Sequence, residues 1–290
     1  MAHVEPASDV VAIVGEAPLW SVREGVLYWI DGQQRLLMRS RYADRDTETR
    51  ALPYRPSCLG WMPDGRLLVG YKKGMGVFDF ASGEALVLPV QGVDLDTVSF
   101  NDGACDHQGR FWIGTRHREA SEPEGALYRV DAGMRFTSMV SGLIVSNGIA
   151  FSPNGETMYH TDSRPGRIDA YDYDPATGAP SARRRLVDYA GCGFRPDGCT
   201  VDAEGGLWVA EIDGGRVARY RPDGTLERIL ALPVSKPSSV AFGGPTMSTL
   251  FITSISYGLS AAQLAAQPWA GKLLAVETTF RGLPEPAFRG

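Results

Sequence analysis

Six tight turns, each joining two short apolar runs, recur along this chain at a spacing that leaves few architectures open. Their glycines are Gly25, Gly65, Gly109, Gly155 and Gly205, with a degenerate sixth copy at Gly244-Pro245. The runs preceding the turns start at Glu16, Ser57, Asn101, Asn147, Asp197 and Ser238, which lie 41, 44, 46, 50 and 41 residues apart. A period in that range without a helical pattern points to a propeller or an array. Each unit carries a second hairpin. Its third strands are read at Gly76–Phe80, Gly125–Val130, Arg167–Asp172, Gly215–Tyr220 and Gly271–Val276, where apolar and polar residues alternate as on a sheet with one wet face. Turns such as Ala81-Ser82-Gly83, Pro175-Ala176-Thr177-Gly178 and Pro222-Asp223-Gly224 lead into fourth strands. Six units of four strands predict an all-β protein, a six-bladed β-propeller with four-stranded antiparallel blades, in which residues 1–290 form a single domain.

The first strands support that reading independently. Four places after each anchor stand Trp20, Trp61, Cys105, Phe151, Val201 and Phe242, all apolar. Three places after it stand Leu19, Gly60, Ala104, Ala150, Thr200 and Ala241, mostly small. Alternating faces then pack a neighbouring blade on one side and a crowded axis on the other. The ring must close by pairing its ends, and Asp9–Val14 is expected to complete the last blade. Ser260–Gln267 is the one helical-looking stretch, placed between the second and third strands of unit six.

Equivalent positions in a closed ring converge on its axis, so Glu16, Asn101, Asn147 and Asp197 should meet there. All four carry hard oxygen donors, and the two carboxylates balance one divalent cation. With no His or Cys in the set, Ca²⁺ is the first expectation, with Zn²⁺, Mn²⁺, Mg²⁺ and Fe²⁺ also within reach of such donors. Asn-Asp-Gly, Ser-Asn-Gly and Pro-Asp-Gly are common turn formers, and any one alone reads as a turn. Their shared register in the repeat favours ligation. Asp64-Gly65 and Asp223-Gly224 sit at other phases and read as turns only.

The net charge of −5 and the lack of a basic tract speak against nucleic acid. No apolar run is long enough for a bilayer. The N-terminus lacks the basic-then-apolar order of a signal peptide, so a cytoplasmic setting is expected. Cys58, Cys105, Cys192 and Cys199 form no Cys-x-x-Cys pair and read as reduced thiols. The chain holds no Gly-x-Ser-x-Gly, His-Glu-x-x-His or Gly-x-x-x-x-Gly-Lys motif. His160 reads as structural, His107 lies at the wrong end of its strand, and His3 sits in the N-terminal tail. The loop around Arg116, His117 and Glu119 follows the second strand of unit three, which runs back towards the anchors, so it can overhang the site.

Gly15-Glu16-Ala17-Pro18-Leu19-Trp20, Phe100-Asn101-Asp102-Gly103, Ser146-Asn147-Gly148 and Pro196-Asp197-Gly198, the last followed by Leu207-Trp208-Val209-Ala210, resemble the motifs of the senescence-marker-protein/gluconolactonase/luciferin-regenerating-enzyme family. The resemblance runs from about residue 12 to about residue 282. It implies a six-bladed propeller holding one divalent cation, with Glu16, Asn147 and Asp197 as main ligands. It makes Asn101 a residue that contacts metal and substrate, and Asp197 the general base. It implies a small-molecule lactone or ester as substrate, and Glu119 matches a substrate-contacting acid. Sugar-lactone members usually carry Arg two residues before the Asn-Asp-Gly asparagine, where this chain has Ser99. A short hydroxyl does not replace a forked cation, so a less polar lactone or ester is expected beside an aldonolactone, with Arg116 as another source of charge. The competing expectations are hydrolysis of phosphotriesters or other activated esters on the same metal site, and a non-catalytic metal- or ligand-binding propeller. A protein-interaction propeller has less to support it, since such a scaffold needs no axial acids and amides. No nucleic-acid or membrane partner is expected, and the chain is expected to be a monomer or a weak homo-oligomer.

Overall fold

The computed structural model describes residues 3–290. Six four-stranded sheets account for the chain, each antiparallel throughout and, in all but one, made of consecutive strands. They are the blades of a six-bladed propeller, as the repeat predicts. The innermost strands are Gly15–Ser21, Pro56–Trp61, Val98–Cys105, Ser146–Phe151, Arg195–Val201 and Pro237–Gly243. Every one contains or begins just before the anchor identified from the repeat. The turn glycines that define the copies all take left-handed φ, from 66° at Gly25 to 90° at Gly65, a region closed to most side chains.

Burial is most complete in the second strands and falls towards the rim. The second strand of blade 2, Leu67–Tyr71, is buried at every position, whereas the fourth strand, Ala85–Leu88, is mostly exposed. Between blades the core mixes aliphatic side chains with aromatic pairs. Trp20 of blade 1 stacks on Phe251 of blade 6 with ring centroids 5.6 Å apart. Trp208 of blade 5 meets Phe242 of blade 6 edge-on at 5.8 Å. Such contacts supply area and a preferred geometry together, which sets the angle between neighbouring blades.

Ring closure differs from the sequence-based expectation. The outer strand of blade 6 is Val4–Pro6, not Asp9–Val14, and it pairs antiparallel with Leu274–Glu277 in the register Val4↔Val276 to Pro6↔Leu274. The outer edge of a blade lies at the rim, so the chain needs a crossing segment to reach the axis at Gly15. Residues 9–14 are that crossing: Ala12 N–H donates to Gly271 O at 2.9 Å, and Val14 makes a single bridge to Ile255. The last third strand begins at Leu274 rather than Gly271, because Gly271 turns the chain at φ 85°. The helix forms as Ala261–Ala266, started by a reciprocal capping box between Ser260 and Gln263.

A second feature had no periodic signal. The C-terminal segment folds across the end of the ring opposite the anchors. Phe288 is buried against Phe111 at 6.4 Å, and its N–H donates to Trp61 O at 2.7 Å. This seals the axial channel at one end and leaves the anchor end open.

Candidate functional site

Every inner strand shifts register at or beside its anchor: between Glu16 and Leu19, Pro56 and Cys58, Phe100 and Gly103, Asn147 and Ile149, Pro196 and Cys199, and Pro237 and Ser239. A bulge bends its strand and re-aims the side chain beside it. In blade 1 the bulge includes Ala17 at φ 49°, a left-handed conformation unusual for alanine. Six bulges at one level thus turn six anchors inwards. Where the anchor is serine the side chain is used up locally: Ser57 Oγ donates to Gly70 O at 3.0 Å, and Ser238 Oγ to Gly15 O at 2.6 Å.

The four longer anchors line one cavity of about 420 Å³ at the open end. Glu16, Asn101, Asn147 and Asp197 are all in its wall, together with Asp102, Lys72, Arg116 and Arg55. The Asn147 amide donates to Ser163 Oγ at 3.1 Å and to the Asp197 carboxylate. That fixes the amide nitrogen and leaves the Asn147 carbonyl oxygen free of hydrogen bonds among the described residues. Asn101 is engaged at both ends: its amide donates to Ser146 O at 2.9 Å, and its carbonyl oxygen accepts from Lys72 Nζ at 3.0 Å. The Asn101 oxygen has one further lone pair to offer.

The acids are poorly supplied with donors. Burial pushes the Glu16 carboxyl well above the usual carboxylate range, and repulsion from Asp197 and then Asp102 adds to it. Asp197, only 6% exposed, is raised by burial and then by Asp102, against the opposing pull of Arg195, Lys72 and the Asn147 bond. Burial pushes Asp102 up to about 6, despite a bond from Gly103 N–H. Lys72 is drawn down to about 8, by burial first and by the nearby Arg116 second. Among the described residues no three His, Cys, Asp or Glu side chains cluster as metal ligands. The axial donor set is instead mixed, with two carboxylates, the free carbonyl oxygen of Asn147 and the half-engaged one of Asn101. Carboxyls raised by burial and mutual repulsion are groups that a hard cation would return to the ionised state, so the residues fit such an ion.

Of the proposed substrate contacts, Asn101 and Arg116 line the cavity, whereas Ser99, His117 and Glu119 do not. Ser99 is 7% exposed and lies directly across the strand pair from Arg116. His117 faces its own hairpin, with Nδ1 3.3 Å from Ser121 Oγ and Nε2 3.7 Å from the Glu124 carboxylate. Glu119 is exposed on that hairpin. Lys72, Asp102, Arg55, Gln33 and Tyr257 are wall residues to which sequence reasoning gave no role. A usable signal existed for several. Lys72, Gln33 and Tyr257 each follow the second strand of a blade, and Arg116 is next to last in one; those strands all run towards the open end. The four cysteines are free thiols, and burial pushes Cys58 up to about 12. No helix among the described residues is long and apolar enough to cross a membrane.

The chain is 39% identical over 282 residues to the 6-deoxy-6-sulfogluconolactonase of Pseudomonas putida, covering 96% of each chain. It is 33% identical to the L-arabinolactonase of Azospirillum brasilense, covering 100% of this chain and 99% of that protein. Among solved structures it superposes on a calcium-binding protein, regucalcin, from Agrobacterium tumefaciens with a TM-score of 0.94 at 28% identity, covering 100% of this chain and 98% of that one. Residues 14–256 match the family described as the SMP-30/gluconolactonase/LRE-like region, and with full-length relatives above 30% identity the chain belongs to that family.

Proposed function

We propose that this protein is a divalent-cation-dependent lactonase that opens a sugar-derived lactone to its hydroxy acid. The observation that carries the reading is the convergence of Glu16, Asn147 and Asp197, from three different blades, on one open cavity. The names of the relatives support the reaction class, since two act by name on sugar lactones. Regucalcin, by its description, binds calcium, which supports a cation at the axis.

In this reading Glu16, Asn147 and Asp197 would hold the cation, and Asn101 would offer it its remaining lone pair. A divalent cation there would supply Lewis acidity towards the lactone carbonyl. Asp197 then has a second task. Its carboxylate accepts the proton of the attacking water as the new C–O bond forms and returns it to the ring oxygen as the ring C–O bond breaks, which leaves the hydroxyl of the product. Asn147 donates to the Asp197 carboxylate and fixes its orientation. Lys72, anchored on Asn101, keeps two further N–H donors for oxygen atoms of the substrate.

The test is a panel of neutral and charged lactones, with an organophosphate ester beside them. The protein is stripped with chelator and each divalent cation is restored in turn. Acid release from a lactone that depends on the restored cation supports the proposal. Turnover of the phosphate ester alone would make the protein a phosphotriesterase. Cation binding without turnover of any member would make it a non-catalytic binder.

A further inference from the structure

Arg116 lines the cavity yet has no counter-charge. It is the penultimate residue of the second strand of blade 3 (Phe111–His117), opposite Ser99, and it is part-buried. Its side chain makes no ion pair or hydrogen bond among the described residues, and its Nε is sealed from solvent without an acceptor. Glu119 is near enough to favour the charge through space but forms no bond with it. Buried charges in proteins are paired, and an unpaired guanidinium in a cavity wall therefore implies that its partner arrives with the ligand.

The neighbouring groups give that partner a sign. Lys72 is close enough to Arg116 for mutual repulsion, and Arg55 stands exposed in the same wall; neither forms an ion pair among the described residues. Glu16, Asp102 and Asp197 are the acids of the same cavity; two of them are anchors and the third follows directly on the anchor Asn101. Lys72 is favoured through space by Glu16 and Asp102 without bonding either, whereas Arg116 and Arg55 have no acid within bonding reach, so the cavity sets an acidic axial floor beside unbonded cations. Resting on the lactonase reading, we propose that the substrate is a lactone bearing a second, permanently ionised group away from its carbonyl, and that Arg116 grips this anion with help from Lys72 and Arg55. A sulfonate, a phosphate monoester and a carboxylate all present the paired oxygens that a guanidinium fork matches, whereas a hydroxyl would leave the charge uncompensated. Arg116 therefore makes up, from the adjacent strand, for the cation absent at Ser99, and it selects a charged lactone where the Ser99 position alone suggests a less polar one.

The experiment measures kcat and KM for neutral gluconolactone and for its 6-sulfo, 6-phospho and 6-carboxylate counterparts, which separates the possible anions. The wild type should favour at least one charged lactone by about tenfold or more in kcat/KM. Arg116→Met should bring that ratio close to one, chiefly through KM, and Arg116→Lys should restore part of it. Equal use of neutral and charged lactones by the wild type, or a preference that survives Arg116→Met, overturns the inference. Should Arg116→Met fail to fold, the KM of the wild type decides: it should rise with ionic strength for the charged lactone and stay level for the neutral one, and level behaviour for both overturns the inference. A protein that hydrolyses no lactone with any cation refutes the lactonase reading alone. The anion grip is then read by calorimetric titration with 6-phosphogluconate and gluconate, where tighter binding of the former, lost in Arg116→Met, upholds it and equal binding overturns it.

Discussion

The inner strands of this propeller carry buried acids at both ends, and the two sets have opposite surroundings. At the closed end Asp106 and Asp202 are fully buried and surrounded by donors. Asp202 accepts from Glu204 N–H, Gly206 N–H and Trp208 Nε1–H at 3.0, 2.9 and 2.7 Å, and it pairs with Arg219 at 2.7 Å. Asp106 accepts from Gln108 N–H and Arg110 N–H at 2.9 Å each, from the Arg110 guanidinium at 3.0 Å and from the Tyr173 hydroxyl. At the open end Glu16 and Asp197 have few donors and repel each other. The same residue type thus serves as a structural latch at one end and as a candidate ligand at the other. Donor supply separates the two roles, together with access to the cavity, which leaves Glu16 part-exposed while Asp106 and Asp202 are fully buried.

Substitution at each end should separate them in the laboratory. Asp197→Asn should lower lactone turnover by about 10²–10⁴-fold, the usual range for a lost general base. Its thermal midpoint without cation should not fall, because the amide relieves an acid that burial disfavours. Near-normal turnover would remove Asp197 from the base role. Asp202→Ala should do the reverse. It takes one carboxylate from the buried Arg219, which keeps Glu227, and leaves Gly206 N–H and Trp208 Nε1–H without their acceptor, so the loss should be about 3 kcal/mol in a denaturant titration, with turnover per folded molecule retained. Unchanged stability would mean that the latch is ornamental.

A smaller effect concerns His160, which lies in the wall between the two ends. Its Nε2 meets Ser146 Oγ at 2.7 Å, and its Nδ1 is buried without a partner. Burial draws its pKa down to about 3, from the 6.5 of an ordinary imidazole. The unfolded chain therefore binds a proton below pH 6.5 that the folded chain refuses until about pH 3. Stability from this group is complete above pH 6.5 and is lost as the pH falls through that window, by about 2 kcal/mol at pH 5. The acid limb of the stability curve should be flatter in His160→Gln than in the wild type. Parallel limbs would show that His160 is not held neutral.

The parts of the molecule that could be read in advance are those set by local chemistry. The turn glycines mark the copies because only left-handed φ completes those turns. Glu16, Asn101, Asn147 and Asp197 stand out because they occupy one register of one repeated strand. Features decided by distant partners gave no such sign. Val4–Pro6 is three residues long, too short for a pattern, and becomes a strand only because Leu274–Glu277 offers it an edge. The C-terminal Leu283-Pro284-Glu285-Pro286 has no strand or helix period, yet it covers one end of the channel. Lys72 stands between the two cases: its place after a second strand puts it at the open end, but the contact of its ammonium with Asn101 depends on the fold.

The claim on which the account rests is that acids and amides from separate blades form one cation site at the open end. Calorimetric titration of the chelator-stripped protein with Ca²⁺, Zn²⁺, Mn²⁺ and Mg²⁺ tests it directly. The account predicts one site per chain for at least one of these ions, weakened by about tenfold or more in Glu16→Gln. Absence of binding by all four ions, or binding that Glu16→Gln leaves unchanged, would contradict it.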